Sequence, residues 1–205
     1  MNKYLKYFIF MVILGLIVSL SLSFINELTA PIIEEQKLKK VEQSLLKVDS
    51  TNKWVSGEKY INISDDEGIE SIYISLNDKN EYQFIAYYIV TKGYSNGNIE
   101  SLIFINNNNK TINNVEIINI ENQTKGIGSL IKDDPNYVNN FKDVKIEKYF
   151  NDNINNHNNE SSDIISGATI SSRGVVQAVI TASNNYFKNV GKQYESNWKF
   201  HKRNI

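Results

Sequence analysis

The stretch of this sequence with the clearest capacity for chemistry runs from Asp163 to Ser172 and reads DIISGATISS. Its small residues allow a bulky ligand to approach the backbone, and Gly167 can adopt dihedral angles that other residues resist. The apolar spacing that follows predicts a long helix, which Ser171 or Ser172 could cap. An anion held at Thr169 would then meet free N–H groups and the positive end of the helix dipole. The stretch therefore predicts a phosphate site, and its alternative interpretation is an ordinary capped helix start.

Composition argues against several other kinds of site. The chain of 205 residues has no cysteine, which excludes disulfides, thiolate metal sites and a cysteine nucleophile. His157 and His201 lie far apart in polar surroundings, so we predict surface residues and no metal site. Ser166 lacks both a nucleophile elbow and a paired base, so we predict no catalytic residue. With 22 basic and 23 acidic residues, no charge excess points to nucleic acid.

An uncharged segment near the N-terminus, Tyr7 to Ile25, predicts a transmembrane helix. At the helical rise, its length corresponds to roughly 28 Å, close to the hydrocarbon thickness of a bilayer. Because Lys3 and Lys6 precede it, we predict that residues 1–6 are cytoplasmic and that the rest of the chain is extracytoplasmic. The chain would be a single-pass protein of the cell (inner) membrane. A cleaved signal peptide is the alternative, and it also places the domain outside the cytoplasm.

The remaining sequence predicts an α+β domain over residues 51–205, preceded by an amphipathic stalk helix over residues 26–50. Pro31 could occupy the first turn of that helix, and a helix packed on the domain core is an equal alternative to a stalk. Alternating apolar residues predict an antiparallel sheet, with flanking helices. The predicted strands are Ser71–Leu76, Tyr82–Val90, Glu100–Ile105, Ile112–Ile120 and Val144–Phe150, and Asn151–Ser162 is predicted to be an exposed loop.

The residues Asp163-x-x-Ser166-Gly167-Ala168-Thr169 resemble the flavinylation motif of the membrane FMN-binding domain family. That family includes the G component of the Rnf electron-transport complex and the C component of the sodium-pumping NADH:quinone reductase. The resemblance implies that Thr169 carries FMN through a phosphoester bond, attached by a flavin transferase that uses FAD. It also implies that Asp163 is a recognition residue for this transferase.

Further segments resemble the same family. Residues 26–31, NELTAP, are similar to the segment that follows the anchor of the Rnf component, and residues 93–99 are similar to a glycine–tyrosine turn. The loop QTKGIG at 123–128 is similar to one that usually reads ETPGLG and lies near the flavin, although glutamine and lysine here replace glutamate and proline. This similarity implies cofactor contacts from Thr124, Gly126 and Gly128, beside those of residues 166–169.

These resemblances predict an electron-transfer subunit with covalent FMN in an Rnf-type ferredoxin:NAD oxidoreductase, which couples electron transfer to ion transport. The other membrane subunits of that complex would be its partners, and catalysis would belong to the assembled complex rather than to this chain alone. Three alternatives remain open. They are the C component of the sodium-pumping quinone reductase, a stand-alone anchored flavoprotein, and a surface binding module without redox chemistry.

Overall fold

The computed structural model describes residues 3–58, 60–61, 68–150 and 163–191. The chain divides into two compact units, residues 1–42 and residues 43–205. The predicted loop Asn151–Ser162 and both histidines lie outside the described residues. The described part contains an antiparallel sheet with flanking helices, which confirms the predicted α+β class.

The first helix, α1, runs from Lys3 to Val48 and contains an apolar stretch long enough to cross a membrane. The side chains of that stretch are exposed, as a lipid-facing surface requires, so the helix fits a single-pass anchor. The prediction that a new helix begins near Pro31 is wrong, because Pro31 lies inside α1. A proline removes one main-chain donor, and α1 continues through that loss.

The sheet is a meander of five antiparallel strands in the order β1-β2-β3-β4-β5. The strands are β1 Lys53–Ser56, β2 Ile69–Leu76, β3 Tyr82–Lys92, β4 Asn98–Asn106 and β5 Thr111–Ile120. The alternating apolar residues predict the last four of these, within a few residues at each end. They do not predict β1, because it is short and has only two partly buried side chains.

Helices cover one face of this sheet and close the hydrophobic core. They are α2 Leu130–Asp133, α3 Pro135–Asn139 and α4 Thr169–Asn185, and a π-helical turn, Tyr186–Gly191, follows α4. α4 packs on β3 and β4, where Val175, Val176 and Val179 are fully buried. The long C-terminal helix predicted from apolar spacing is therefore confirmed, although it begins at Thr169 rather than after Ser172.

The prediction of a strand over Val144–Phe150 is wrong. Residues Ile146–Tyr149 form a 3₁₀ turn, and Lys145 makes only an isolated bridge to Thr111. Ile146 and Tyr149, three positions apart, both point into the core. Residues three positions apart lie on the same side of a 3₁₀ turn but on opposite faces of a strand. A strand that is buried on both faces is also apolar at both positions, so apolar content alone could not separate the two structures.

The carboxylate of Asp49, directly after α1, connects the turn at residues 49–52 to the sheet. It accepts hydrogen bonds from Ser75 Oγ at 2.5 Å, Asn52 Nδ2 at 2.8 Å, and the backbone N–H groups of Thr51 and Asn52 at 3.1 Å each. Burial opposes the charged form, but the hydrogen bonds outweigh it and lower the pKa of Asp49 below its ordinary value of 3.8. The folded state is thus stabilised by the ionised carboxylate.

We expect Asp49→Asn to lower the free energy of unfolding by about 1–3 kcal/mol at pH 7, because charge-assisted hydrogen bonds are lost. A lowered pKa means that this stabilisation is present above pH 3.8 and disappears as the pH falls through the folded-state value. Urea unfolding of the full chain in detergent at pH 7 and pH 3 measures both effects. Asp78→Asn, at an exposed hairpin position, is the control that should change little. A deficit of equal size at both pH values would contradict the role of the charge.

Candidate functional site

Three chain segments meet at one end of the sheet. β3 ends and β4 begins there, with Lys92 paired to Asn98, and the turn 93–97 joins them. β5 ends at the same place, since Ile120 pairs with Ile99, and the loop 121–129 leaves from it. The third segment is residues 163–171, which includes the first turn of α4. The 93–97 turn, the 123–128 loop and the motif segment 163–169 are therefore neighbours, although the sequence predicts cofactor contacts only for the last two.

The side chain of Gln123 joins these three segments. Its Nε2 donates to the carbonyl oxygen of Glu121 at 2.8 Å and lies 3.4 Å from that of Tyr94. Its Oε1 accepts a hydrogen bond from Ser171 Oγ at 2.5 Å. Gly128 allows the loop to approach Ser171 closely, because a Cβ atom at position 128 would lie only 3.0 Å from Ser171 Oγ. The 123–128 loop is thus fixed against the first turn of α4.

Thr169 is the first residue of α4, and its side chain is exposed. The preceding Gly167 has φ of 83°, a left-handed conformation that glycine adopts at little cost. Ala168 occupies the cap position and is buried, and no side chain caps the helix in the described part of the chain. Because alanine has no side-chain acceptor, the cap residue itself does not occupy the first N–H groups of α4, and an anion could bind there.

The prediction that Ser171 or Ser172 caps the helix is wrong, since both lie inside its first turn. Ser172 instead fixes the loop before the helix. Its Oγ accepts a hydrogen bond from the N–H of Ile165 at 3.1 Å and donates to the carbonyl oxygen of Ala168 at 3.0 Å. A serine inside a first turn and a serine cap differ by only a few positions, so sequence could not separate them.

The loop 123–128 forms a compact turn of its own. The carbonyl oxygen of Thr124 accepts hydrogen bonds from the N–H groups of Ile127 at 3.1 Å and Ser129 at 3.2 Å, and Gly126 donates to Ser129 Oγ at 2.9 Å. Thr124, Lys125 and Gly126 are exposed at its tip. Of the three loop residues predicted to contact a cofactor, Gly128 lies against α4, whereas Thr124 and Gly126 face solvent.

Large apolar side chains on each of the three segments are about half exposed. They are Tyr94 at 51%, Ile127 at 49% and Ile170 at 54%. Single exposed apolar residues are common on protein surfaces. Here each one belongs to a different segment of the same junction, and Ile170 is in the first turn of α4.

Asp163 has a position that the sequence does not indicate, because its side chain is only 1% exposed. Its Oδ2 accepts hydrogen bonds from Tyr149 OH at 3.2 Å and from Lys148 Nζ at 3.3 Å. The hydroxyl of Tyr137 lies between the carbonyl oxygens of Asp163, at 3.3 Å, and Ser172, at 3.2 Å. Burial raises the pKa of Tyr137, and the nearby Asp163 carboxylate raises it further, so this phenol remains a donor.

The site thus contains side chains that sequence reasoning missed. Gln123 stands out in the sequence only as a departure from a family pattern, and nothing there assigns a role to Tyr137, Lys148 or Tyr149. Their partners are distant in sequence, 48 residues apart for Gln123 and Ser171, so only the folded sheet and helix reveal them. No cluster of His, Cys, Asp or Glu among the described residues could hold a metal ion.

Comparison with known proteins identifies the domain. Residues 93–184 match the model of a family described as FMN-binding domain, which confirms that prediction. The matched range includes the 93–97 turn, the 123–128 loop and α4 as far as Asn184. No curated protein matches the chain significantly. Among solved structures, the NqrC of Shewanella oneidensis is similar, with 18% identity and a TM-score of 0.46, over 62% of this chain and 61% of that one.

The hydrogen bond between Gln123 and Ser171 yields a prediction about stability. Ser171→Ala and Gln123→Ala should each lower the free energy of unfolding, and the double variant should lose about 1 kcal/mol less than their sum. Urea unfolding of the four proteins measures this coupling. Ser166→Ala, at an exposed position in the same segment, should show no coupling to Gln123. Additive losses for Ser171 and Gln123 would show that their contact does not stabilise the junction.

Proposed function

We propose that this chain, whose residues 93–184 form an FMN-binding domain, carries FMN covalently on Thr169 and acts as an electron-transfer subunit in a membrane. The observation that carries the proposal is that Thr169 is exposed at the start of α4, where the cap residue Ala168 provides no side-chain acceptor and three segments of the domain meet. A group attached there projects onto the surface of the junction.

The start of α4 suits a phosphate diester. The free N–H groups of the first turn and the positive end of the helix dipole stabilise the negative charge of a phosphodiester next to Thr169. Ser166 and Gly167 are exposed just before it, and neither presents a bulky side chain that would exclude the ligand. Ala168 is buried and fixes the backbone at this point. Residues 166–169 therefore provide the attachment point and the room around it.

The apolar side chains of the junction suit the aromatic ring of a flavin. Tyr94, Ile127 and Ile170 are each about half exposed, and a planar ring that covered them would remove apolar area from water, at a gain of about 25 cal/mol per Å² buried. The exposed tip of the 123–128 loop, with Thr124 and Gly126, would line the ring edge, and Lys125 would place a positive charge nearby. Gly128 would act indirectly, by bringing the loop close to Ser171.

We infer that a separate enzyme makes the attachment, as the resemblance to the FMN-binding domain family implies. A flavin transferase would join Thr169 Oγ1 to the FMN phosphorus of FAD. The pyrophosphate bond of FAD would break, AMP would leave, and the hydroxyl proton would pass to a base of the transferase. The bound FMN would then supply one- or two-electron redox chemistry. This chain would bind and orient it without acid or base residues of its own.

A covalent bond has a physical reason in the proposed location. The single apolar helix α1 fits a membrane anchor, and Lys3 and Lys6 at its start favour a cytoplasmic N-terminus. The domain would then face the extracytoplasmic space, where a dissociated cofactor would be lost by dilution. Since residues 26–31 resemble the Rnf component, we assign the chain to an Rnf-type ion-translocating complex. A component of a quinone reductase and a stand-alone flavoprotein remain the competing assignments.

The assignment to a complex is separable from the flavin. Gentle purification of the flavin-labelled chain from its native membrane should recover the other subunits of a ferredoxin:NAD oxidoreductase. Recovery with the subunits of a quinone reductase would favour the assignment to that complex, and recovery of the chain alone would favour a stand-alone flavoprotein. Neither result would change the proposal that Thr169 carries FMN.

We expect Thr169→Ala to abolish covalent flavin. When the full chain is produced with the transferase, the tryptic peptide containing Thr169 should gain the mass of FMN less one water, and the denatured band should fluoresce in a gel. Thr51→Ala, at an exposed threonine outside the junction, is the control and should keep the label. Fluorescence that persists in Thr169→Ala would move the attachment site, and an unlabelled native chain would remove the proposal.

The orientation can be tested by labelling, because the chain has no cysteine of its own. A maleimide that cannot cross membranes should react with Lys142→Cys in intact spheroplasts, since Lys142 is exposed in the domain. Tyr4→Cys, 79% exposed at the start of α1, should react only after lysis. The reverse pattern would place the domain in the cytoplasm and contradict the orientation inferred from Lys3 and Lys6.

A further inference from the structure

Asp163 is six positions before Thr169 in the same segment, yet the two side chains have opposite environments. The carboxylate of Asp163 is 1% exposed, whereas Thr169 is exposed. A transferase that approaches the folded chain would meet the threonine but not the carboxylate. Direct recognition of the Asp163 carboxylate would require the segment to move, and Tyr149 and Lys148 would then lose their hydrogen-bond acceptor.

The hydrogen bonds of Asp163 to Tyr149, Lys148 and Tyr137 hold the segment in place. Tyr149 and Lys148 bind its carboxylate from the 3₁₀ turn, at 3.2 and 3.3 Å. Tyr137, on α3, bridges the carbonyl oxygens of Asp163 and Ser172, and so connects the beginning of the segment to the first turn of α4. Ser172 in turn binds the N–H of Ile165 and the carbonyl oxygen of Ala168. These hydrogen bonds therefore hold residues 163–168 at both the beginning and the end of the segment.

We propose that Asp163 is a positioning residue for flavinylation, which acts with Tyr149, Lys148 and Tyr137 to hold residues 163–168 in the conformation that presents Thr169 to the transferase. This inference rests on the proposed function and changes the role of Asp163 from a recognition residue to a buried support. It adds three residues outside the motif to the set that controls attachment.

The role predicts a specific kinetic effect. If only the ordered segment binds the transferase, a variant that populates it less raises the KM for the acceptor chain and leaves kcat unchanged. Losing one hydrogen bond of the network weakens the ordering equilibrium of the segment roughly five- to tenfold, and KM rises by up to this factor, as the inverse of the fraction of chains that stay ordered. A carboxylate that the transferase touched during the reaction would be needed for kcat as well.

The experiment measures flavin transfer from FAD to the full chain in detergent, with Tyr149→Phe, Tyr137→Phe and Asp163→Asn as variants. Tyr186→Phe is the matched control, because Tyr186 is also a buried tyrosine, but its hydroxyl binds Asn107 Oδ1 at 2.7 Å, outside the segment. We expect a higher KM in Tyr149→Phe and Tyr137→Phe and wild-type kinetics in Tyr186→Phe. Lys148→Met should also raise KM, whereas Lys148→Arg, which keeps the positive charge, should have the wild-type KM.

Two kinetic results would overturn the inference. Wild-type KM in both Tyr149→Phe and Tyr137→Phe, with flavinylation lost in Asp163→Asn, would show that the transferase reads the carboxylate itself. An equal rise of KM in Tyr186→Phe would show a general loss of stability rather than positioning.

Hydrogen exchange separates this inference from the proposed function, because it needs no flavin. In the unmodified chain, the N–H groups of Ile165 and Ala168, which bind Ser172 Oγ and the carbonyl oxygen of Ile165, should exchange faster in Tyr149→Phe than in Tyr186→Phe. Unchanged exchange would overturn the positioning role. An unlabelled native chain with faster exchange in Tyr149→Phe would instead refute the proposed function and leave the network intact.

Discussion

The carbonyl oxygen of Gly174 in α4 accepts a hydrogen bond from Thr91 Oγ1 on β3 at 2.9 Å, so helix and strand touch almost backbone to backbone. A Cβ atom at position 174 would lie 2.9 Å from the carbonyl oxygen of Lys92, too close for any other residue without a shift. Because this contact is only five residues after Thr169, it fixes where the helix begins relative to the end of the sheet. The positions of Ser171 and the motif segment follow from it.

The convergence of the three segments can be derived in part from the sequence. In an antiparallel meander, alternate connections lie at the same end of the sheet. Once β3, β4 and β5 are recognised, the 93–97 turn and the segment after β5 must therefore be neighbours. The sequence also shows the motif and the helix that follows it. It does not show where α4 docks, because that depends on the contact between Gly174 and Thr91, 83 residues apart.

Other features could not be predicted because they depend on burial rather than on pattern. An acidic residue in a motif is normally assumed to be on the surface, where a partner can read it. The burial of Asp163 becomes evident only when Tyr149 and Lys148 are placed on a 3₁₀ turn instead of a strand. The wrong prediction of a strand therefore concealed both the turn and its hydrogen bonds to Asp163. The role of Gln123 could not be predicted for another reason. Its neutral amide joins three segments by hydrogen bonds, and such contacts follow only from the fold.

These features explain how a residue can be both accessible and held in place. An exposed hydroxyl on a loop would sample many conformations, and each productive encounter with an enzyme would require ordering at that moment. In this domain the ordering is supplied in advance by buried groups. The buried carboxylate, the tyrosine hydroxyls and Ser172 fix one side of the segment, and the Gln123 contact fixes the first helical turn from the other. Thr169 is exposed between them, so its accessibility does not require a mobile backbone.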